Sequence, residues 1–208
     1  MAWCWRRPRA DACRRGAIGR RLHDVTLENL GHAPAEVLDA IFWEVADDDP
    51  LVDPRFQKEE WFSSTLLEWG PCGKMALGDD GEPVGFSEFA PPSLFPRLGR
   101  FRCGRVSADA VYLAYCYVTP GHRGRRVGSD LIRSVARDLI DRGYRALEAL
   151  GERGWSSGWI LPADFLAANR FTIVRDDPEI PLFRLDLREA SMPMEHETAA
   201  AASRPWSG

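Results

Sequence analysis

The sequence predicts a single α/β domain, and three stretches carry that expectation. Residues 111–118 (VYLAYCYV) are almost entirely apolar, aromatic or β-branched, as in a strand covered on both faces. A tight basic turn follows, and after it Val127, Leu131, Ile132, Val135, Leu139 and Ile140 recur at helical spacing. Gly143 suits the left-handed end of that helix, and a second apolar run, residues 146–150, comes directly after it. Strand, helix and strand in this order form a βαβ-like unit. The third stretch is residues 78–82 (GDDGE), turn chemistry between two short apolar runs, which predicts a hairpin.

The remaining elements follow in order along the chain. Residues 1–23 are rich in arginine and lack apolar periodicity; they read as a basic, disordered extension. Residues 25–30 are expected to form a first strand. Pro34 opens a helix running to about Val45, with Val37, Leu38, Ile41, Phe42 and Val45 on one face. A second helix is predicted over 56–69, its apolar stripe passing through Phe56, Trp61, Thr65 and Trp69. Residues 91–109 form a long Pro/Gly/Arg connection, expected to be a lid or binding loop. Beyond the central unit, 162–168 reads as a short helix, 171–174 as a strand and 182–187 as a closing strand. The domain thus spans 24–189, with a disordered tail over 190–208.

Composition narrows the function classes. A hydrophobic fraction of 45% is ordinary for a globular chain, and a net charge of −4 calls for neither nucleic acid nor membrane. No apolar run approaches the ~20 residues of a membrane span. The five cysteines are odd in number and lack paired C-x-x-C spacing, against a disulfide framework or a metal site. A cytoplasmic location fits that usage.

The turn His122-Arg123-Gly124-Arg125-Arg126-Val127-Gly128 is where chemistry concentrates. It opens a helix, so its N–H groups lack intrahelical partners and lie at the positive end of the helix dipole. Such a site suits a phosphate or pyrophosphate, and the arginines add charge and forked donors. No Gly-Lys-Ser/Thr closes it and no Gly-x-Gly-x-x-Gly is present, so neither a Walker A loop nor a Rossmann fingerprint is indicated.

At these residues the sequence resembles the GCN5-related N-acetyltransferase (GNAT) superfamily. That motif has a strand ending in Val, a short turn, then Arg/Gln-x-x-Gly-x-Gly/Ala opening a helix. Val118, Pro120 and 123–128 match it, except that Arg126 stands at the usual first glycine, where its side chain either crowds or binds the pyrophosphate. The resemblance implies a GNAT domain: a mixed, twisted sheet of about six or seven strands with helices on both faces. It also implies acetyl-CoA as co-substrate, with Cys116, Tyr117 and Val118 along the pantetheine arm. Arg123, Gly124, Arg125, Arg126, Val127, Gly128 and Ser129 would then lie at the phosphates. The acceptor implied is a primary amine on a small molecule or peptide, attacked in a ternary complex by a monomer or homodimer.

The acid and base are less regular. The family's usual acid is a tyrosine five positions before the Phe of a Gly-Phe pair; here Phe171 matches, Leu166 replaces the tyrosine and Arg170 the glycine. Tyr112 aligns where histone-acetylating relatives carry a glutamate base. A tyrosine with a pKa near ~10 is a poor base at neutral pH, so Glu88 is the better candidate by chemistry, with Glu148 a further one. The aromatic residues Trp43, Trp61, Phe62, Trp69 and Phe89 are candidates for an acceptor pocket, with Glu59 or Glu60 attracting the amine. The departures at Leu166, Arg126 and Arg170 keep an alternative open: a catalytically weak or inactive CoA-binding regulatory module.

Overall fold

The computed structural model describes residues 21–47, 52–154 and 157–190. Most of the N-terminal extension and nearly all of the C-terminal tail therefore lie outside the described residues. The chain begins with β1 (Arg21–Asp24), α1 (Leu27–Leu30), α2 (Ala35–Leu38) and α3 (Pro54–Glu68). It continues with β2 (Gly73–Leu77), β3 (Pro83–Ala90), β4 (Ala110–Val118), α4 (Val127–Asp141) and β5 (Ala146–Glu152). It closes with β6 (Leu161–Pro162), α5 (Ala163–Ala168), β7 (Thr172–Arg175), β8 (Leu182–Asp186) and α6 (Leu187–Ala190).

These strands form one mixed, eight-stranded sheet in the order β1-β2-β3-β4-β5-β8-β7, with β6 paired to β5. Neighbours are antiparallel except β4–β5 and β5–β6. The β4–β5 pair is parallel because α4 carries the chain across the sheet face between them. One apolar layer, around Val135, Leu139 and Phe183, lies between the sheet and α4 and α5. The other, around Phe62, Phe86 and Tyr112, lies under α1–α3.

Several expected elements shift. The first described strand is residues 21–24 rather than 25–30, and Leu27–Leu30 is a helical turn. The helix opened by Pro34 stops at Leu38 instead of Val45. Beyond it the chain continues without helical structure, and Ala40, Trp43 and Glu44 are buried. The second helix runs Pro54–Glu68, capped by the Asp53 side chain on the Arg55 N–H. Its stripe is rotated from expectation: Lys58, Phe62 and Thr65 are buried, while Phe56 is 63% exposed. The connection 91–109 is folded down, with Phe95, Leu98 and Cys103 buried and two 3₁₀ turns, Pro92–Leu94 and Pro96–Arg100.

Two features shape the centre of the sheet. β4 and β5 are paired only at Ala110–Ala146, Val111–Leu147 and Tyr112–Glu148, although β4 runs on to Val118 and β5 to Glu152. Beyond Tyr112 the two strands separate. β4 is also bulged against β3, where Glu88 faces Tyr115 and Phe89 faces Leu113. A bulge bends a strand and resets its side-chain alternation, so Tyr112, Ala114, Tyr115 and Tyr117 all pack toward α1–α3.

Candidate active site

The wedge between β4 and β5 has a backbone wall. From Leu113 onward β4 is bonded to β3 on one edge only, so its other edge presents peptide groups to the gap. At the mouth of the wedge stands the start of α4, which no side chain caps. Its first-turn N–H groups therefore face outward at the positive end of a fifteen-residue helix. A backbone edge for an extended amide-bearing arm, next to an uncapped helix start for phosphates, is a donor set that fits coenzyme A.

The turn explains the two arginines that replace family glycines. Arg126, the residue preceding α4, has φ 66°, and Arg170 has φ 68°; among the described residues these are the non-glycines with positive φ. Both positions need the left-handed region, which is why glycine is expected there, and arginine adopts it at a cost of about 1–2 kcal/mol. The turn keeps its shape. Arg125 and Arg126 are exposed, whereas Arg123 folds back and donates Nε to the Val118 carbonyl at 2.9 Å. Gly124 is exposed, Ser129 is half-buried, and Val127 is buried in the layer under α4. Gly85 admits that helix, because a Cβ there would lie 2.7 Å from Val127 Cγ1. Gly128 is a close approach of a different kind than expected: a Cβ would meet the Phe165 ring of α5 at 3.0 Å.

On β4 the expected pantetheine residues split between the two faces. Cys116 points to α4, its Sγ 4.0 Å from the Gly128 carbonyl, and burial pushes its thiol up to about 12. A thiol so protonated is no nucleophile at neutral pH. Tyr117 faces the other way; burial, together with Glu36 beside it, pushes its phenol up to about 12. Val118 lies in the layer under α4.

Glu88 and Tyr112 lie on the same face of the sheet, that of α1–α3. Tyr112 is 1% exposed, and its ring packs between Trp43 (5.4 Å) and Phe95 (5.5 Å). Burial raises its pKa well above the ordinary tyrosine value, so the hydroxyl keeps its proton. Glu88 is wholly buried, with Oε2 3.1 Å from Lys58 Nζ and Oε1 without a hydrogen-bond partner. Lys58 also donates to Glu44, so two carboxylates share one ammonium inside the protein. Burial pushes Glu88 upward against the pull of Lys58, and burial likewise pushes Lys58 down. Glu148 is occupied: Oε1 accepts from Arg184 at 2.9 Å and Oε2 from the Ser107 N–H at 2.9 Å.

The space beside Glu88 is lined by Ala40, Phe42, Trp43, Glu44, Lys58, Tyr115 and Trp159. It is a tight crevice with no room for a water molecule. Phe42 stacks on Trp159 at 5.9 Å to form one wall. Of the aromatics expected to line an acceptor pocket, only Trp43 borders this crevice. Phe62 and Phe89 are core, Trp61 stacks on Phe95, and Trp69 sits under Arg142. Glu59 and Glu60 are exposed on α3, away from the pocket wall that Lys58 forms. Lys58 and Glu44 escaped sequence reasoning, because a lysine inside a helix of charged residues gives no signal of burial. Leu166, on α5, is fully buried.

Residues 38–153 match the acetyltransferase (GNAT) family, and the chain belongs to it. It is thus an enzyme of the GNAT acyltransferase class. No curated protein matches the sequence. Among solved structures, the N-acetyltransferase of Staphylococcus aureus Mu50 is similar at TM-score 0.56 and 17% identity, covering 81% of this chain and 98% of that one. YncA of Salmonella typhimurium, solved with its cofactor acetyl-CoA, is similar at TM-score 0.55 and 16% identity, covering 84% and 97%. At such identities the likeness shows the shared fold. No helix among the described residues is long and apolar enough to cross a membrane.

Proposed function

We propose that the chain transfers an acetyl group from acetyl-CoA to a primary amine by direct attack in a ternary complex. The observation that carries this reading is the wedge: β4 and β5 part after Tyr112–Glu148, beside the uncapped start of α4. The β4 edge would hold the pantetheine amides, and the N–H groups of 124–129, with Arg125 and Arg126, would hold the phosphates.

Glu88 is the base in this reading. It lies across from Tyr115 at the bulge, with an unpartnered oxygen and a proton affinity raised by burial. Glu88 takes one proton from the acceptor's ammonium, the freed amine nitrogen forms the new bond to the carbonyl carbon as the C–S bond breaks, and the second proton of that nitrogen is lost to solvent. With Leu166 in place of the usual acid, the thiolate departs toward solvent. Its pKa is close to the ~8.5 of a cysteine, so it leaves without an enzymic proton donor.

The test is thiol release from acetyl-CoA across a panel of amines, with the acetylated product identified by mass. Turnover with at least one amine is expected. Tight coenzyme binding with no turnover across a broad panel would contradict the reading and favour a regulatory module.

A further inference from the structure

The charge on Glu88 is set by neighbouring side chains alone. Glu88 is fully buried, and the crevice beside it has no room for a water molecule, so its carboxylate is poorly screened. Lys58, on α3, places its Nζ 3.1 Å from Glu88 Oε2. That ammonium is divided, because it also donates to Glu44, on the segment after α2, whose side chain is buried too. Among the described residues the other titratable groups beside Glu88 are Tyr115, opposite it on β4, and Cys72, just before β2. Burial holds both of these protonated and therefore uncharged. One ammonium cannot fully compensate two carboxylates, and the cluster keeps a surplus negative charge away from water.

We propose that Glu44 and Lys58 are positioning residues for the transfer: by claiming a share of the Lys58 ammonium, Glu44 leaves Glu88 under-compensated and makes it a stronger base than an isolated Lys–Glu pair would hold. Lys58 alone would keep Glu88 ionised with little affinity for a proton, as an opposite charge at that range does. Glu44 draws the ammonium away and adds a second negative charge nearby, and both effects favour a proton on Glu88. Lys58 in turn prevents the two carboxylates from simply sharing a proton, so Glu88 stays available as a base. The proposal rests on the reading of Glu88 as the base, but the coupling it invokes is measurable without turnover.

Removing either partner should shift Glu88 in opposite directions, which a purely structural role would not do. Glu44→Gln keeps the shape, removes the surplus charge and frees Lys58 for Glu88 alone, so the proton affinity of Glu88 falls. Lys58→Met leaves two carboxylates without a cation, so it rises. The carboxyl resonance of Glu88 in full chain carrying isotope-labelled glutamate, assigned by its absence from Glu88→Gln, is titrated by nuclear magnetic resonance. The acid limb of kcat/KM for acetylation is measured beside it. Glu44→Gln should lower both midpoints by about one pH unit or more, and Lys58→Met should raise both by as much, the scale of a charge within ~4–6 Å. A Glu88 resonance that titrates unchanged in Glu44→Gln overturns the proposal, and so do shifts of the same sign in the two variants. A resonance that moves while the acid limb stays also overturns it, because the ionisation of Glu88 then does not govern the rate. If Lys58→Met does not fold, Glu44→Gln decides alone. Opposite shifts of the resonance with no acetylation of any amine support the coupling and remove the transfer reading instead.

Discussion

The two parts of the proposed site, one for the coenzyme and one for the acceptor, are built in opposite ways. The first is backbone: the open edge of β4 and the uncapped start of α4, supplied by one continuous stretch from Ala110 to Ser129. The second is side chain: Glu44, Lys58, Glu88 and Tyr115 converge from the turn after α2, from α3, from β3 and from β4. A backbone site tolerates changes of side chain as long as the dihedrals are reached, as Arg126 shows at φ 66°. A side-chain site has no such latitude, because each member of the cluster neutralises another. Substitutions should therefore act mildly on the first side and severely on the second.

The largest effect is expected at Glu88. Glu88→Gln should lower kcat/KM by about 10²–10⁴-fold at neutral pH, the usual contribution of a general base. The deficit should narrow at high pH, where free amine is abundant. The raised pKa of Glu88 fixes the sign in the unaltered enzyme: the base is lost as pH falls through a value above the ordinary carboxylate range, and the acid limb of the rate profile should lie there. A mutant with the full rate and an unchanged profile would remove Glu88 from the mechanism.

Gly128→Asp comes next. It places a carboxylate at the phosphate end and a Cβ 3.0 Å from the Phe165 ring, and the coenzyme Kd should rise tenfold or more, ~1.4 kcal/mol. Gly128→Ala separates the two causes, since it keeps the crowding of Phe165 and lacks the charge; a Kd close to that of the unaltered protein assigns the loss to repulsion.

Arg126→Gly should be milder. Relief of the left-handed backbone is partly offset by the added freedom of glycine in the unfolded chain, so the melting temperature should barely move. The coenzyme Kd should weaken about two- to fivefold, the scale of an exposed ion pair of ~0.2–1 kcal/mol. Tighter binding would show that the arginine obstructs the phosphates. Tyr112→Phe should change the rate least, because the phenol is buried and protonated and its ring stays between Trp43 and Phe95.

The same contrast governs what could be read from the amino acids alone. Periodicity and turn chemistry place the hairpin, the central strand, α4 and β5 within a residue or two, because each is a local pattern. The helix start is legible for the same reason: it lies within one run of seven residues. The β4–β5 separation is not, since it depends on where pairing ends and on a bulge that no single residue announces. Nor is the acid cluster. Lys58 lies between Gln57 and Glu59 in a helix whose apolar stripe is weak, and its burial follows from Glu44 and Glu88, distant in sequence. The early end of α2 is not legible either, because Val37, Leu38, Ile41, Phe42 and Val45 keep helical spacing past Leu38, where the helix stops.

The central claim is that coenzyme A is held by backbone along 113–129. Hydrogen exchange of the full chain with and without acetyl-CoA measures this directly. The amides of the open β4 edge and of residues 124–129 should become protected on binding, while β2 and the distal edge strand β7 should not change. Saturating acetyl-CoA that leaves exchange across 113–129 unaltered would contradict the account.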